Sequence, residues 1–177
     1  LGDPTILVAT VAVSAPGAGT ATGFVTFRLG ADMLGTAAVD PHGTASLTTR
    51  ALHAGAVTIA ATYGGDASLA PSSGSLTLQV AQAAAVAVLT PGAAPARLGE
   101  SLPVTVSVTS VSGRTPTGTV RLRDGPAVVA TTTLDATAVA RFSLSGLSLG
   151  AHSLTADYDG DADHRTATSA PVVVQVV

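Results

Sequence analysis

Apolar and polar residues alternate with a period of two along most of this 177-residue chain. Val104, Val106 and Val108 are spaced by Thr105 and Ser107, Val120 and Leu122 flank Arg121, and Phe142 and Leu144 flank Ser143. Leu154, Ala156 and Tyr158, then Val172, Val174 and Val176, extend the pattern. Val11 and Val13, Val25 and Phe27, Ala45 and Leu47, Val57 through Tyr63, and Leu76, Leu78 and Val80 carry it earlier in the chain. Side chains of a strand point alternately to its two faces, so this spacing predicts half-buried β-strands. Turn residues punctuate the runs. Asp124-Gly125 marks a tight hairpin, Gly30 serves the same corner earlier, and Gly64-Gly65 and Asp159-Gly160 follow each Tyr. Pro103 and Pro171 stand at strand beginnings, where a missing N–H is tolerated. About seven short strands with closely spaced turns predict an antiparallel sandwich of immunoglobulin-like topology.

The pattern is written twice. Gly23 to Asp66 returns as Gly118 to Asp161 at a constant offset of 95 residues, so TGFVTFRLG matches TGTVRLRDG and LHAGAVTIAATYGGD matches LSLGAHSLTADYDGD. That period is far too long for one turn of a solenoid and suits a small domain. The expected architecture is all-β: two tandem immunoglobulin-like antiparallel β-sandwiches, over residues 1–81 and 82–177. Ala81-Gln82-Ala83-Ala84 forms a short uncharged seam, and Val86-Ala87-Val88-Leu89 reads as the opening strand of the second unit. LGD at Leu1–Asp3 matches LGE at Leu98–Glu100, which lies past that strand. The first sandwich is therefore expected to lack its opening strand.

Composition narrows the function classes. The chain holds no Lys, Asn or Cys, which removes disulfides, thiol chemistry and Lys–Asn cross-links, and it points to a GC-rich bacterial genome. A net charge of −3 with scattered Arg offers no basic face for nucleic acid. No apolar run reaches the length of a membrane span. The chain starts at Leu1 with neither initiator Met nor signal peptide, as expected of a mature chain or a piece of a longer one.

With TGFVTF, DPHGTASL and GAVTIAATYGGD in the first copy, and TGTVRL, DATAVARF and GAHSLTADYDGD in the second, the chain resembles the bacterial Ig-like repeat domains of group three. Val57 stands where the family's usual His is kept at His152, and Ala138 where the first copy has Gly43. The resemblance implies an Ig-like sandwich within a secreted or surface-anchored bacterial protein, and it implies no enzymatic activity.

Candidate chemistry is sparse. Asp157, Asp159, Asp161 and Asp163 in DYDGDADH form a candidate Ca2+ site, since that hard cation takes six to eight oxygens. Against this, Asp66 and Asp161 also fit a role as loop caps. No other cofactor is expected. Tyr63 and Tyr158 read as core-edge residues whose hydroxyls find backbone partners, rather than as sugar platforms. His42, His53, His152 and His164 are dispersed, and nothing in the sequence aligns Ser, His and an acid for nucleophilic catalysis. Arg121 and Arg123 should face outward together as a small anion patch or a solubilising face. The expected roles are a stalk or spacer, a filament subunit joined by strand donation, or an adhesion module working through its loops. The expected partners are neighbouring Ig-like repeats, identical subunits, or a cell-surface or matrix ligand.

Overall fold

The computed structural model describes residues 1–15, 17–92 and 95–177, and its regular structure is β throughout. No helix among the described residues is long and apolar enough to cross a membrane. The chain divides into two compact units, Leu1–Ala81 and Gln82–Val177.

In the second unit, β7 (Ala85–Pro91), β8 (Leu102–Ser110) and β11 (Val139–Leu144) form one sheet in the order β11-β8-β7. The facing sheet runs β10 (Ala127–Thr133), β9 (Thr119–Asp124), β12 (Gly150–Tyr158) and β13 (Ala167–Thr168), with β14 (Val172–Val176) also paired to β12. All these strand pairs are antiparallel. The inward residues are the alternating apolar ones of the sequence: Val104, Val106 and Val108 of β8 face Val120, Leu122, Leu154 and Tyr158 in one buried cluster. Small aliphatic contacts replace rings as the source of cohesion, each buried methylene contributing about 0.8 kcal/mol.

The first unit repeats this plan with six strands where the second has eight. β1 (Thr5–Thr10) pairs with β4 (Thr44–Thr49), and β3 (Asp32–Ala38), β2 (Phe24–Leu29), β5 (Gly55–Tyr63) and β6 (Ser72–Val80) form the second sheet. β6 runs through the positions of both β13 and β14. Leu7 lies opposite Leu47 as Val104 lies opposite Phe142, so β1 corresponds to β8. Among the described residues, no strand of unit 1 corresponds to β7. Both units also carry a bulge on the hairpin strand, at Leu34 and Val129, which the alternating pattern did not announce.

The turn between β10 and β11 explains why Asp recurs 95 residues apart. Asp135 Oδ1 accepts the amides of Thr137 and Val139 at 2.8 and 3.1 Å, and Asp40 Oδ1 accepts those of His42 and Thr44 at 2.9 and 2.8 Å. The fourth turn position takes a positive φ, 77° at Gly43 and 58° at Ala138. Ala138 adopts it without being glycine, a conformation that costs about 1–2 kcal/mol.

Candidate functional site

The chemistry-bearing residues gather at the end of each sandwich where β5 and β12 terminate. In unit 2 the loop after Tyr158 is organised by Asp161. Its Oδ2 accepts the Thr117 amide at 2.8 Å and the Thr117 hydroxyl at 3.0 Å, while Oδ1 accepts the Asp163 and His164 amides at 2.8 and 2.7 Å. Gly160 (φ 80°) allows the bend, since a Cβ there would meet the His164 carbonyl at 2.8 Å. Unit 1 builds the same loop on Asp66, which accepts the Thr22 amide and hydroxyl at 2.9 Å each and the Ser68 and Leu69 amides at 2.8 Å. These donors favour the ionised carboxylate. The Ser68 and Thr22 amides hold Asp66 well below the usual range. Burial opposes ionisation of Asp161, but the Thr117 amide, His164 and the Asp163 amide outweigh it, and its pKa is also depressed.

The four carboxylates of DYDGDADH do not converge. Asp157 lies across from the β9 strand, where its Oδ2 accepts from Arg123 Nε and its Oδ1 from the Thr168 hydroxyl at 2.8 Å. Asp159 pairs with Arg121 at 2.8 Å, Asp161 turns into its own loop, and Asp163 lies 3.4 Å from the Arg114 guanidinium. No group of three or more His, Asp or Glu residues among the described ones is arranged to hold a metal ion. Arg121 and Arg123 share one face of β9 and each pairs with a carboxylate, Asp157 on β12 and Asp159 just past its end, so the face is a ladder of opposite charges rather than an anion patch.

Two of the four histidines, His152 and His164, are held by other side chains. His164 is buried, 1% exposed. Its Nδ1 lies 2.9 Å from Asp161 Oδ1 and its Nε2 lies 2.7 Å from Ser112 Oγ. Ser112, His164 and Asp161 thus stand in the order of a Ser-His-Asp triad, with the Ser112 hydroxyl also donating to the Arg114 carbonyl at 3.3 Å. Ser112 is only 5% exposed, and its Oγ also accepts the Arg114 amide at 3.2 Å. No face of the hydroxyl is left for a substrate. The three residues act as a buried strut tying the turn after β8 to the loop after β12. Unit 1 has Leu69 in the place of His164, so the strut belongs to unit 2 alone. His152, likewise not free, lies 2.6 Å from Asp124 Oδ2, and that hydrogen bond together with the Ser148 carbonyl raises its pKa.

The two tyrosines are buried, 3% exposed at Tyr63 and 1% at Tyr158, as core-edge residues. The Tyr63 hydroxyl lies 2.7 Å from the Thr22 carbonyl and 3.0 Å from Asp66 Oδ2. The Tyr158 hydroxyl sits near Thr117 and Asp161 but closes no hydrogen bond of ordinary geometry, and burial pushes its pKa up. Tyr63→Phe is therefore expected to cost unit 1 about 1 kcal/mol. Tyr158→Phe should leave unit 2 within about 0.5 kcal/mol of the parent. Urea unfolding of the two variants measures the contrast.

Both copies of this architecture match the model for the bacterial Ig-like domain (group 3), over residues 1–81 and 89–177. The chain belongs to that family. No curated protein matches it. Among solved structures, the chain is similar to fibronectin(III)-like modules of Clostridium thermocellum CbhA, at 18% identity over 99% of this chain and 85% of that one, with a TM-score of 0.40. It is similar to the D0–D1 domain of intimin at 16% identity over 98% and 90%, with a TM-score of 0.35. It is also similar to the Ig1–Ig3 ectodomain of mouse nectin-like molecule 4, at 16% identity over 98% and 63%, with a TM-score of 0.37. The family match, and not these distant likenesses, carries the assignment. Bacterial Ig-like domains are generally non-enzymatic.

Proposed function

We propose that this chain is a spacer: a tandem Ig-like module that lends length to a secreted or surface-anchored bacterial protein. The path of the backbone through unit 2 supports this reading best. The chain enters beside the β12–β13 loop, where the Ala83 amide donates to the Asp163 carbonyl at 2.9 Å and the Arg165 amide donates back to Ala83 at 2.9 Å. It leaves at the other end of β12, where Val176 lies opposite Gly150. Entry and exit are thus separated by the nine-residue length of β12, about 27 Å at the rise of a strand. A unit crossed from end to end transmits position along an array, and its charges are spent on holding its own loops and sheets.

Small-angle scattering of the 177-residue chain tests the reading. The expected result is an elongated two-lobed particle, and a compact globule would overturn it. An adhesive role has less support, because the charged loop residues of unit 2 are engaged with one another rather than presented.

A further inference from the structure

The two copies differ at the end of the sandwich where β12 begins. β12 lies along β9 in the register that β5 takes on β2, so Asp124 stands across from Leu154 as Leu29 stands across from Ile59. Two residues before Leu154, on the same inward face, unit 2 has His152 where unit 1 has Val57. Val57 is buried in its core. An aliphatic pair of the first copy, Leu29 and Val57, is therefore an ionisable pair in the second. That pair is mostly enclosed, with side chains 26% exposed at Asp124 and 11% at His152. The ring meets two acceptors at once: Nδ1 lies 2.6 Å from Asp124 Oδ2, and Nε2 lies 2.9 Å from the Ser148 carbonyl oxygen.

A carboxylate and a carbonyl only accept, so each contact needs an N–H from the ring, and neutral imidazole has just one. Only the imidazolium satisfies both. We infer that His152 is a doubly protonated clamp tying the β9–β10 hairpin to the loop that leads into β12, and that it releases this loop when it loses a proton. Asp124 keeps the Nδ1 proton, because a charged acceptor holds it more strongly than a neutral one. Nε2 is then bare and faces the Ser148 carbonyl, lone pair against lone pair. The Ser148 hydroxyl, 3.5 Å from Nε2, can take over as donor once residues 145–149 shift. The surroundings leave the ring to these two partners. Arg123, next to Asp124, is turned to the outer face, where it meets Asp157 and the Pro126 carbonyl. β14 places Val174 beside His152, and residues 145–149 carry no ionisable group. The facing sheet ends here in buried Leu102 and Leu144. Among the described residues, neither Arg97 nor Glu100, on the segment leading into β8, is ion-paired with the clamp. Asp124 and, after it, the Ser148 carbonyl strengthen the hold of the ring on its proton and outweigh burial, so its pKa is raised above 6.5. With a raised folded value, the stabilisation is complete below 6.5 and is lost as pH climbs through the folded value. Unit 2 thus has an alkaline limit that the aliphatic pair of unit 1 cannot supply. Nothing in the clamp depends on the spacer reading.

The test uses the full 177-residue chain. NMR of the histidine ring nitrogens is expected to show His152 protonated on both at about pH 5.5, with a titration midpoint above 6.5. The urea midpoint of unit 2 should fall between about pH 5.5 and about pH 9. A double variant, Asp124→Leu with His152→Val, installs the pair of unit 1 and should hold its midpoint level over that range. His164, the other histidine of unit 2, remains in this variant, so a fall that persists belongs elsewhere and overturns the inference. A His152 ring with a single N–H at about pH 5.5, or one titrating at or below 6.5, would overturn it too. If the double variant does not fold, the ring decides by itself. Asp124→Asn keeps an acceptor without the charge and should lower the His152 midpoint, and an unchanged midpoint would refute the clamp.

Discussion

Asp161→Ala is expected to destabilise unit 2 by about 3–5 kcal/mol, the range for removing one partner from a buried charged network. The size follows from what the carboxylate holds. It accepts from the backbone at Thr117, Asp163 and His164, from the Thr117 hydroxyl, and from the ring of a fully buried histidine. Removing it strands those donors, and the His164 ring then keeps its place between Ser112 and an empty space. A folded unit of this size commonly has a total stability of about 5–15 kcal/mol, so much of the reserve would go at once. Asp161→Asn keeps an acceptor and should cost less. Denaturant unfolding monitored on unit 2 checks the order, Ala below Asn below parent.

The same hydrogen bonds give the chain a pH signature. Folding depresses the carboxyls of Asp66, Asp135 and Asp161 below their ordinary 3.8. At Asp135 the Thr137 hydroxyl and Arg141 are the leading causes. A depressed carboxyl binds its proton less readily folded than unfolded, so its contribution is complete above about pH 4 and is lost as pH falls below that. Acid should therefore melt both units, with the loss beginning under pH 4 and not near neutrality.

Phe27→Ala should have an effect of similar size in the other unit, about 3–5 kcal/mol. Phe27 is 2% exposed at the centre of the unit 1 core, in a chain with very few rings to share the load. Unit 1 has less to lose. Its buried cluster is smaller than that of unit 2, and Ala9 and Val11 remain partly exposed. The variant is expected to leave unit 1 largely unfolded at 37 °C while the unit 2 transition keeps its midpoint. Calorimetry of the full-length variant separates the two transitions.

The strands were legible because alternation is enforced by the geometry of a sheet with one wet face, and the repeat doubled the signal. Val104, Val106 and Val108 could be placed in a core without coordinates, and so could the loop-capping roles of Asp66 and Asp161. The strut was not legible. Ser112 and His164 lie 52 positions apart in sequence, and comparing the copies hid the pair, because the first copy has Leu69 where the second has His164. The pairing of Asp157 and Asp159 was missed for a related reason. They stood in a run of alternating carboxylates that suggested a shared cation, whereas their partners, Arg123 and Arg121, sit on the neighbouring strand, whose register the sequence does not state. The two copies share the tyrosine, so comparing them does not show that the Tyr63 hydroxyl finds partners while that of Tyr158 is left without one.

Hydrogen exchange of the intact chain tests most directly the idea of two separately cored sandwiches, one closed and one open. β8 is flanked by strands on both sides, so its amides should all exchange slowly. In β1, the amides directed at β4 should be slow and those directed away from it fast by orders of magnitude. Uniform protection along β1, or a single cooperative opening shared by residues 1–177, would contradict the account.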